Sequence, residues 1–240
     1  MFRFLFYSLC FIAIILGAFL AFFDFDPLYQ LRYDFKTGQK PVTTITHINK
    51  TLESLLKVPA TQLPPTYLNY SKYDQKPYTK IAKNKEFYFV ENDDRYKFLV
   101  GKFRVKDFMT KDSFLKRRKN LKQYILLDTK MLHKLLELQQ ELEKEDYDSY
   151  GFKLTSGFRH PRHNEKVRGA SKSRHIYGQA IDLIIKDIDK NGVANQKDKS
   201  IVLDILEKKV IKNEGGIGRY PNTMSVHFDT RGYRARWDSY

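Results

Sequence analysis

Two short stretches of this sequence hold polar residues that packing alone does not ask for. The first, residues 173–183, reads SRHIYGQAIDL; His175 stands in a turn ahead of Gly178, and Asp182 interrupts the apolar run QAIDLII. Side chains alternate across a strand, so Ala180, Asp182 and Ile184 share one face while Ile181, Leu183 and Ile185 share the other. A carboxylate in so apolar a strand is costly to bury unless a cation or strong donors meet it. One of the many arginines would meet it as a salt bridge; a metal ion would serve as well. The second stretch, residues 223–229, reads TMSVHFD. Met224, Val226 and Phe228 alternate onto a core face, which leaves Ser225, His227 and Asp229 on the other. Taken alone, His227 reads equally well as a satisfied structural histidine or as a functional one. Taken with the first stretch, two imidazoles and a carboxylate make a suitable set for catalytic zinc, with a fourth position left to water. Zinc held in this way lowers the pKa of its water to ~7 and polarises a carbonyl, so amide hydrolysis is the natural chemistry. No His-Glu-x-x-His pattern competes, and His47 and His133 stand without companions and read as structural.

A third stretch, residues 187–198, reads DIDKNGVANQKD. Asp187, Asp189, Asn191 and Asp198 occupy loop positions 1, 3, 5 and 12, with Gly192 at position 6 for a sharp turn, which is the logic of an EF-hand calcium loop. Asp stands at the twelfth position where a bidentate Glu is usual, and in this the loop resembles the calcium loops of dockerin modules. The competing reading is an Asn-Gly turn followed by an Asp helix cap, among lysines. If calcium binds, it braces the insertion between the two strands that bear the zinc set.

The elements that must position these residues follow from periodicity. Met131, Leu135, Leu138 and Leu142 recur at helical spacing behind Asp128 or Thr129 as cap, which predicts a core-packing helix over 129–144. Residues 152–156 read as a buried strand running into SGFRHPRHN, and 178–185 as another strand. An amphipathic helix is predicted over 199–211 from Ile201, Val202, Ile205, Leu206 and Val210, and a last strand over 223–229 ahead of Arg231-Gly232. Residues 86–105 read as two strands forming a hairpin around Asn92-Asp93-Asp94. Upstream, residues 26–84 are rich in Tyr, Lys, Thr and Pro and include Pro64-Pro65; they read as a stalk and irregular lead-in with one short helix over 48–56. The class is α+β, an antiparallel sheet with flanking helices over 85–240.

Composition bounds the rest. A chain of 240 residues, 42% apolar and 30% charged, has room for one sizeable domain plus a leader, which excludes a multi-pass membrane protein, a collagen-like chain and wholesale disorder. A single Cys excludes a disulfide framework and a Cys-rich zinc ribbon. The net charge of +15, from 43 Lys and Arg against 28 Asp and Glu, favours polyanions: nucleic acid, anionic lipid or an acidic wall polymer. The basic run Lys116-Arg117-Arg118-Lys119 reads as a solvated face or as a contact for such a surface. Residues 4–23, FLFYSLCFIAIILGAFLAFF, carry no charge and are long enough to cross a hydrocarbon core of roughly 30 Å. Arg3 precedes the run and Asp24 and Asp26 follow it, which puts Met1 in the cytoplasm and the rest across the membrane. Residues 1–25 therefore read as an uncleaved signal anchor; the alternative is a signal peptide cleaved near Ala18 or Ala21, giving a secreted protein. Export in either form sets nucleic acid aside as a partner. Oligomeric state leaves no mark on the sequence.

Ser156-Gly157-Phe158-Arg159, Asn164, Gly169-Ala170, the Ser173-x-His175-x-x-Gly178-x-Ala180-x-Asp182 element, Gly215-Gly216-Ile217-Gly218, Val226-His227-x-Asp229 and Trp237 together resemble one family. It is the zinc D-alanyl-D-alanine carboxypeptidase and murein endopeptidase family, whose fold is shared with the hedgehog signalling domain and lysostaphin-type enzymes. The resemblance covers residues 125–238 and implies that His175, Asp182 and His227 bind zinc. It also implies that Arg159 contacts a substrate carboxylate, a task suited to a planar bidentate donor, and that Ser173 lines the substrate cleft. Several relatives carry a Glu or His general base just upstream of the last zinc histidine. Here those positions are Met224 and Ser225, neither of which can take a proton from water. Asp229, about 7 Å further along the strand, is left as base, or as an orienting partner or strand-end cap. His160 and His163 are outside candidates for proton transfer, and read first as loop histidines. The expected function is a peptidase of the bacterial cell envelope, anchored in the cytoplasmic membrane and acting on peptidoglycan peptides. The alternative is a non-catalytic zinc-containing module that binds the wall or a partner.

Overall fold

The computed structural model describes residues 26–64, 67, 82–111 and 122–238. The anchor expected over 1–25 and the basic run 116–119 lie outside them. Among the described residues no helix is long and apolar enough to cross a membrane. The chain divides into two compact units, Met1–Gln39 and Lys40–Tyr240. The described part of the first is helix α1 (Asp26–Thr37), on which Leu31 and Phe35 are exposed.

The second unit opens with α2 (Ile45–Glu53), started by the Thr44 hydroxyl, which accepts from the His47 amide at 3.2 Å. Its Ile48 and Leu52, four residues apart and so on one helical face, are buried. Strand β1 (Leu56–Pro59) pairs antiparallel with β2 (Glu86–Val90). The hairpin expected around Asn92-Asp93-Asp94 does not form. Residues 92–96 make a 3-10 turn instead, and β3 (Phe98–Val100) pairs with β4 (Phe103–Arg104). Both edges of β2 are already taken, by β1 and by β5 (Gln123–Ile125), and this two-sided pairing buries Phe87 and Val90 completely. A four-residue helix, α3 (Val105–Phe108), follows β4. The expected boundary between lead-in and domain at 84/85 falls inside this unit: Ile48, Leu52, Leu55 and Leu63 belong to its core.

Helix α4 (Thr129–Lys144) forms as the spacing predicts. The Asp128 carboxylate accepts from the Met131 amide at 2.9 Å, and Met131, Leu135, Leu138 and Leu142 are buried. The remaining strands build a five-stranded sheet. They are β6 (Phe152–Ser156), β7 (Ala180–Ile185), β8 (Gly216–Gly218), β9 (Ser225–Asp229) and β10 (Ala235–Trp237), in the order β10-β8-β9-β7-β6. All neighbours are antiparallel except β10 with β8. Helix α5 (Pro161–Lys166) leaves β6. Helix α6 (Gln196–Ile205) begins three residues before the expected start and passes into a π-helical turn over Leu206–Val210. The early start is set by a capping box, in which Asn195 caps the helix and the Asp198 side chain returns to the Asn195 amide at 2.8 Å. Beneath the sheet, Ile181, Leu183, Val226 and Phe228 join Leu132, Leu135 and Val202 in one core.

Candidate metal centre

Strand register brings the chemistry together. Asp182 on β7 lies opposite His227 on β9, and the same row runs on to Ser156 on one side and to Gly218 and Trp237 on the other. Directly opposed residues of an antiparallel pair point to the same face, so the carboxylate and the imidazole are neighbours by construction. His175 arrives from a 3-10 turn, Arg174–Tyr177, which ends at Gly178 in the left-handed region with φ of +70. Glycine is required twice over at 178: a Cβ there would also fall 2.2 Å from the Leu126 carbonyl oxygen.

His175 Nε2 and His227 Nδ1 lie 3.1 and 2.7 Å from the same oxygen, Asp182 Oδ1. Each ring's other nitrogen is also engaged. His175 Nδ1 is 2.7 Å from the Gly157 carbonyl, and His227 Nε2 is 3.1 Å from Asp229 Oδ2. A carbonyl and a carboxylate only accept, so those outer nitrogens carry the hydrogens. In the neutral rings the inner nitrogens therefore present lone pairs, and both are aimed at an anionic oxygen. Three acceptors around one point, with ligand atoms all within 4.8 Å of one another, are reconciled by a proton or by a cation. The donor set, two imidazoles and a carboxylate with outer partners that fix each ring, fits zinc.

The electrostatics follow the same geometry. Burial works to raise the Asp182 carboxyl, but His175 and His227 outweigh it and hold the group well below the usual carboxylate range. Burial lowers His175, and the pull of Asp182 does not restore it. Burial opposes the charged form of His227 as well, yet hydrogen bonds to both Asp182 and Asp229 raise it overall.

The sequence offered Asp182 either a salt bridge or a metal, and the structure places an arginine and the imidazoles on separate oxygens. Oδ2 pairs with the Arg159 guanidinium, whose Nε donates to Ser156 Oγ at 2.7 Å. Arg159, expected at a substrate carboxylate, is thus turned toward Asp182. Asp229 is fully buried and has no free oxygen. Oδ1 accepts from the Gly216 amide and from the Arg231 amide and Nε, and Oδ2 from Arg231 Nη2 at 2.6 Å and from His227. Burial would raise its carboxyl, but Arg231 and His227 hold it far below the carboxylate range. With both oxygens engaged in this way, Asp229 is placed to orient His227, one of the roles that the sequence left open for it. Ser173 sits at the start of the 3-10 turn, its amide donating to the Ala170 carbonyl at 3.0 Å. His160 caps α5: Nδ1 accepts from the Arg162 amide at 3.3 Å and Nε2 lies 3.0 Å from the Tyr67 carbonyl. His163 lies within α5. Asn164 braces the same loop by donating to the Ala170 carbonyl at 3.0 Å.

Several contributors carried no signal in the sequence. The Gly157 carbonyl is a backbone atom, and Arg231 marked only the end of the last predicted strand. Tyr220 lies within electrostatic reach of the centre; burial, then Asp182, raise its phenol. Lys199, which reads as a surface residue at a helix start, is buried and donates to the Tyr220 and Thr223 carbonyls at 2.8 and 2.7 Å. That clamp holds residues 220–223 in a turn, so β9 starts at Ser225 rather than Thr223. The Gly-rich segment around β8 is explained by close approach. A Cβ on Gly216 would fall 2.4 Å from Asp229 Oδ2, and one on Gly218 would fall 2.8 Å from the Trp237 indole. That indole leans on His227, with ring centroids 5.2 Å apart.

In the loop over 187–198, the carboxylates of Asp187, Asp189 and Asp198 converge within 4.8 Å. Asn191 does not join them through its side chain, whose Oδ1 accepts from the Val193 amide at 2.9 Å.

Comparison with curated proteins and with solved structures found no match for the chain. A family model described as peptidase M15 matches residues 107–229. The matched stretch runs from α3 to the end of β9, takes in just over half of the chain, and holds Arg159 together with all three residues of the metal centre. On that match and that geometry, the chain belongs to the peptidase M15 family of zinc D-Ala-D-Ala carboxypeptidase-like peptidases.

Proposed function

We propose that this protein is a zinc peptidase that hydrolyses peptide bonds in peptidoglycan stem peptides, as a D,D-carboxypeptidase or a cross-link endopeptidase. The observation that carries the proposal is the convergence of His175 Nε2, Asp182 Oδ1 and His227 Nδ1, each ring fixed from outside by Gly157 or Asp229. These three residues would hold the ion, which supplies Lewis acidity toward water and the scissile carbonyl. Arg159 holds the second oxygen of Asp182 and so keeps Oδ1 turned inward. Its planar guanidinium is also the donor we assign to a terminal substrate carboxylate. Trp237 walls the site beside His227. The surplus of positive charge suits a polymer carrying carboxylates. The apolar segment 4–23 supports anchoring in the cytoplasmic membrane with the domain on its outer side; secretion after cleavage is the alternative.

A second reading, a non-catalytic module binding the wall or a partner through the same scaffold, draws on one observation: Asp229 is spent on Arg231 and His227. Incubating the purified protein with peptidoglycan, with and without a zinc chelator, and identifying released peptides by mass spectrometry separates the two. The peptidase reading expects a chelator-sensitive product that is lost in His227→Ala. Stoichiometric zinc with no product from several wall types would leave the binding module.

A further inference from the structure

The loop between β7 and α6 carries charge that nothing in the catalytic reading uses. Asp187, Asp189 and Asp198 bring three carboxylates within 4.8 Å of one another. Asp198 is fully buried; its Oδ1 accepts from the Ile188 and Asp189 amides at 2.7 and 3.1 Å, and its Oδ2 from the Asn195 amide at 2.8 Å. Asp187 accepts from the Asn191 and Gly192 amides at 3.0 and 2.7 Å, which folds the loop over the cluster. Among the described residues, the one cation paired within the cluster is Lys197, whose largely exposed ammonium lies 2.8 Å from Asp189 Oδ2. The other oxygen of that carboxylate, Oδ1, is sealed from solvent and accepts no hydrogen bond among the described residues, on a side chain only 9% exposed. A buried anionic oxygen without a donor is a costly arrangement that asks for a ligand.

We propose that this cluster is a second metal site, separate from the zinc centre, and that it binds a hard divalent cation, calcium. Carboxylate oxygens are the donors such an ion takes, and they sit at the first, third and twelfth positions of a twelve-residue loop whose sixth is Gly192, with φ of +89. The ion would give Asp189 Oδ1 the partner it lacks among the described residues and cancel the repulsion among the three anions. Its position gives it leverage on the catalytic sheet. The loop starts two residues after β7, which carries Asp182, and ends in α6, whose Lys199 clamps the 220–223 turn ahead of β9 and His227. The inference does not depend on what the zinc centre does.

The test is calorimetric titration of the full, zinc-loaded chain with calcium chloride and, separately, magnesium chloride, together with thermal denaturation in each. We expect a single calcium site with a Kd of about 0.1–1 mM, the range of extracellular loop sites, weaker or no binding of magnesium, and a raised Tm. Asp189→Asn keeps the shape and removes the charge, and weakens calcium binding at least about tenfold. Asp187→Asn, whose side chain accepts only from amides of the exposed loop, does the same and decides the matter if Asp189→Asn fails to fold. Asp182→Asn, which damages the zinc centre, leaves calcium binding intact. The proposal is overturned if calcium produces neither heat nor a Tm shift at about ten times that concentration, if both loop variants bind as the parent does, or if binding vanishes in Asp182→Asn.

Discussion

His175 and His227 face the same oxygen of Asp182, yet their environments drive them apart. His175 has a neutral carbonyl behind it, so burial dominates and its pKa falls; His227 has a second carboxylate behind it, and its pKa rises above the ordinary 6.5. In the metal-free chain the raised His227 stabilises the fold fully below its unfolded pKa and loses that contribution as pH climbs through its folded one. Zinc reverses the preference, because Nδ1 must lose its proton before it can ligate. Zinc affinity should therefore fall on acidification by about tenfold per pH unit, starting above pH 6.5 rather than at it. Competition against a chromophoric chelator from about pH 8 down to about 5.5 measures this; a profile flat to below 6.5 would exclude His227 as the site of that proton. Asp229→Asn should lower zinc affinity roughly 10- to 100-fold and move the break in the profile down toward 6.5. At this scale the three residues that the structure brings together were legible in the sequence, because Asp182 interrupts an apolar strand and alternation puts His227 on the polar face of another. Gly157 and Arg231 were not. A backbone carbonyl has no residue type, and an arginine two positions beyond Asp229 looks the same whether it points to solvent or folds back.

The metal centre depends on two element-level features, the pairing of β7 with β9 and the turn that delivers His175. A slip of one residue in the pairing would send Asp182 and His227 to opposite faces, so the apolar residues Ile181, Leu183, Val226 and Phe228 fix the site by fixing the register. The turn depends on Gly178. Gly178→Ala should cost about 2 kcal/mol of stability through its left-handed backbone and its collision with the Leu126 carbonyl, lowering Tm by roughly 4–8 °C. Zinc content measured on the same preparation should drop, since His175 stands three residues earlier in that turn; an unchanged Tm would show that the backbone there has room to relax. Helix α4 and strands β6, β7 and β9 were readable because one face of each is apolar at the right period. The expected hairpin over 86–105 failed because adjacency in sequence competed with pairing over longer range. Strand β2 buries Phe87 and Val90 better between β1 and β5 than a two-stranded ribbon could.

At the scale of the whole molecule, the core reaches further toward the N-terminus than composition suggests. Tyr, Lys, Thr and Pro dominate residues 26–84, which hid the fact that β1 and α2 belong with the catalytic unit; their apolar residues are few, but their partners lie at β2, β3 and α4. A fragment starting at Lys40 should melt cooperatively and bind zinc as the full chain does. A fragment starting at residue 85 gives up Ile48, Leu52, Leu55 and Leu63, together on the order of 6–12 kcal/mol of burial, about the net stability of an ordinary domain. It should show no cooperative unfolding by circular dichroism, and a sharp transition there would mean that the lead-in is dispensable. One feature of the centre also reaches the bench. The chain has a single tryptophan, and the structure leans it on a proposed zinc ligand. Excited at wavelengths that its sixteen tyrosines do not absorb, the chain therefore emits from beside the candidate metal centre. When an ion replaces a proton on His227, the charge carried by the ring next to the indole changes, so colour and brightness report occupancy directly. The protein carries its own optical gauge of whether its centre is filled, with no label to attach.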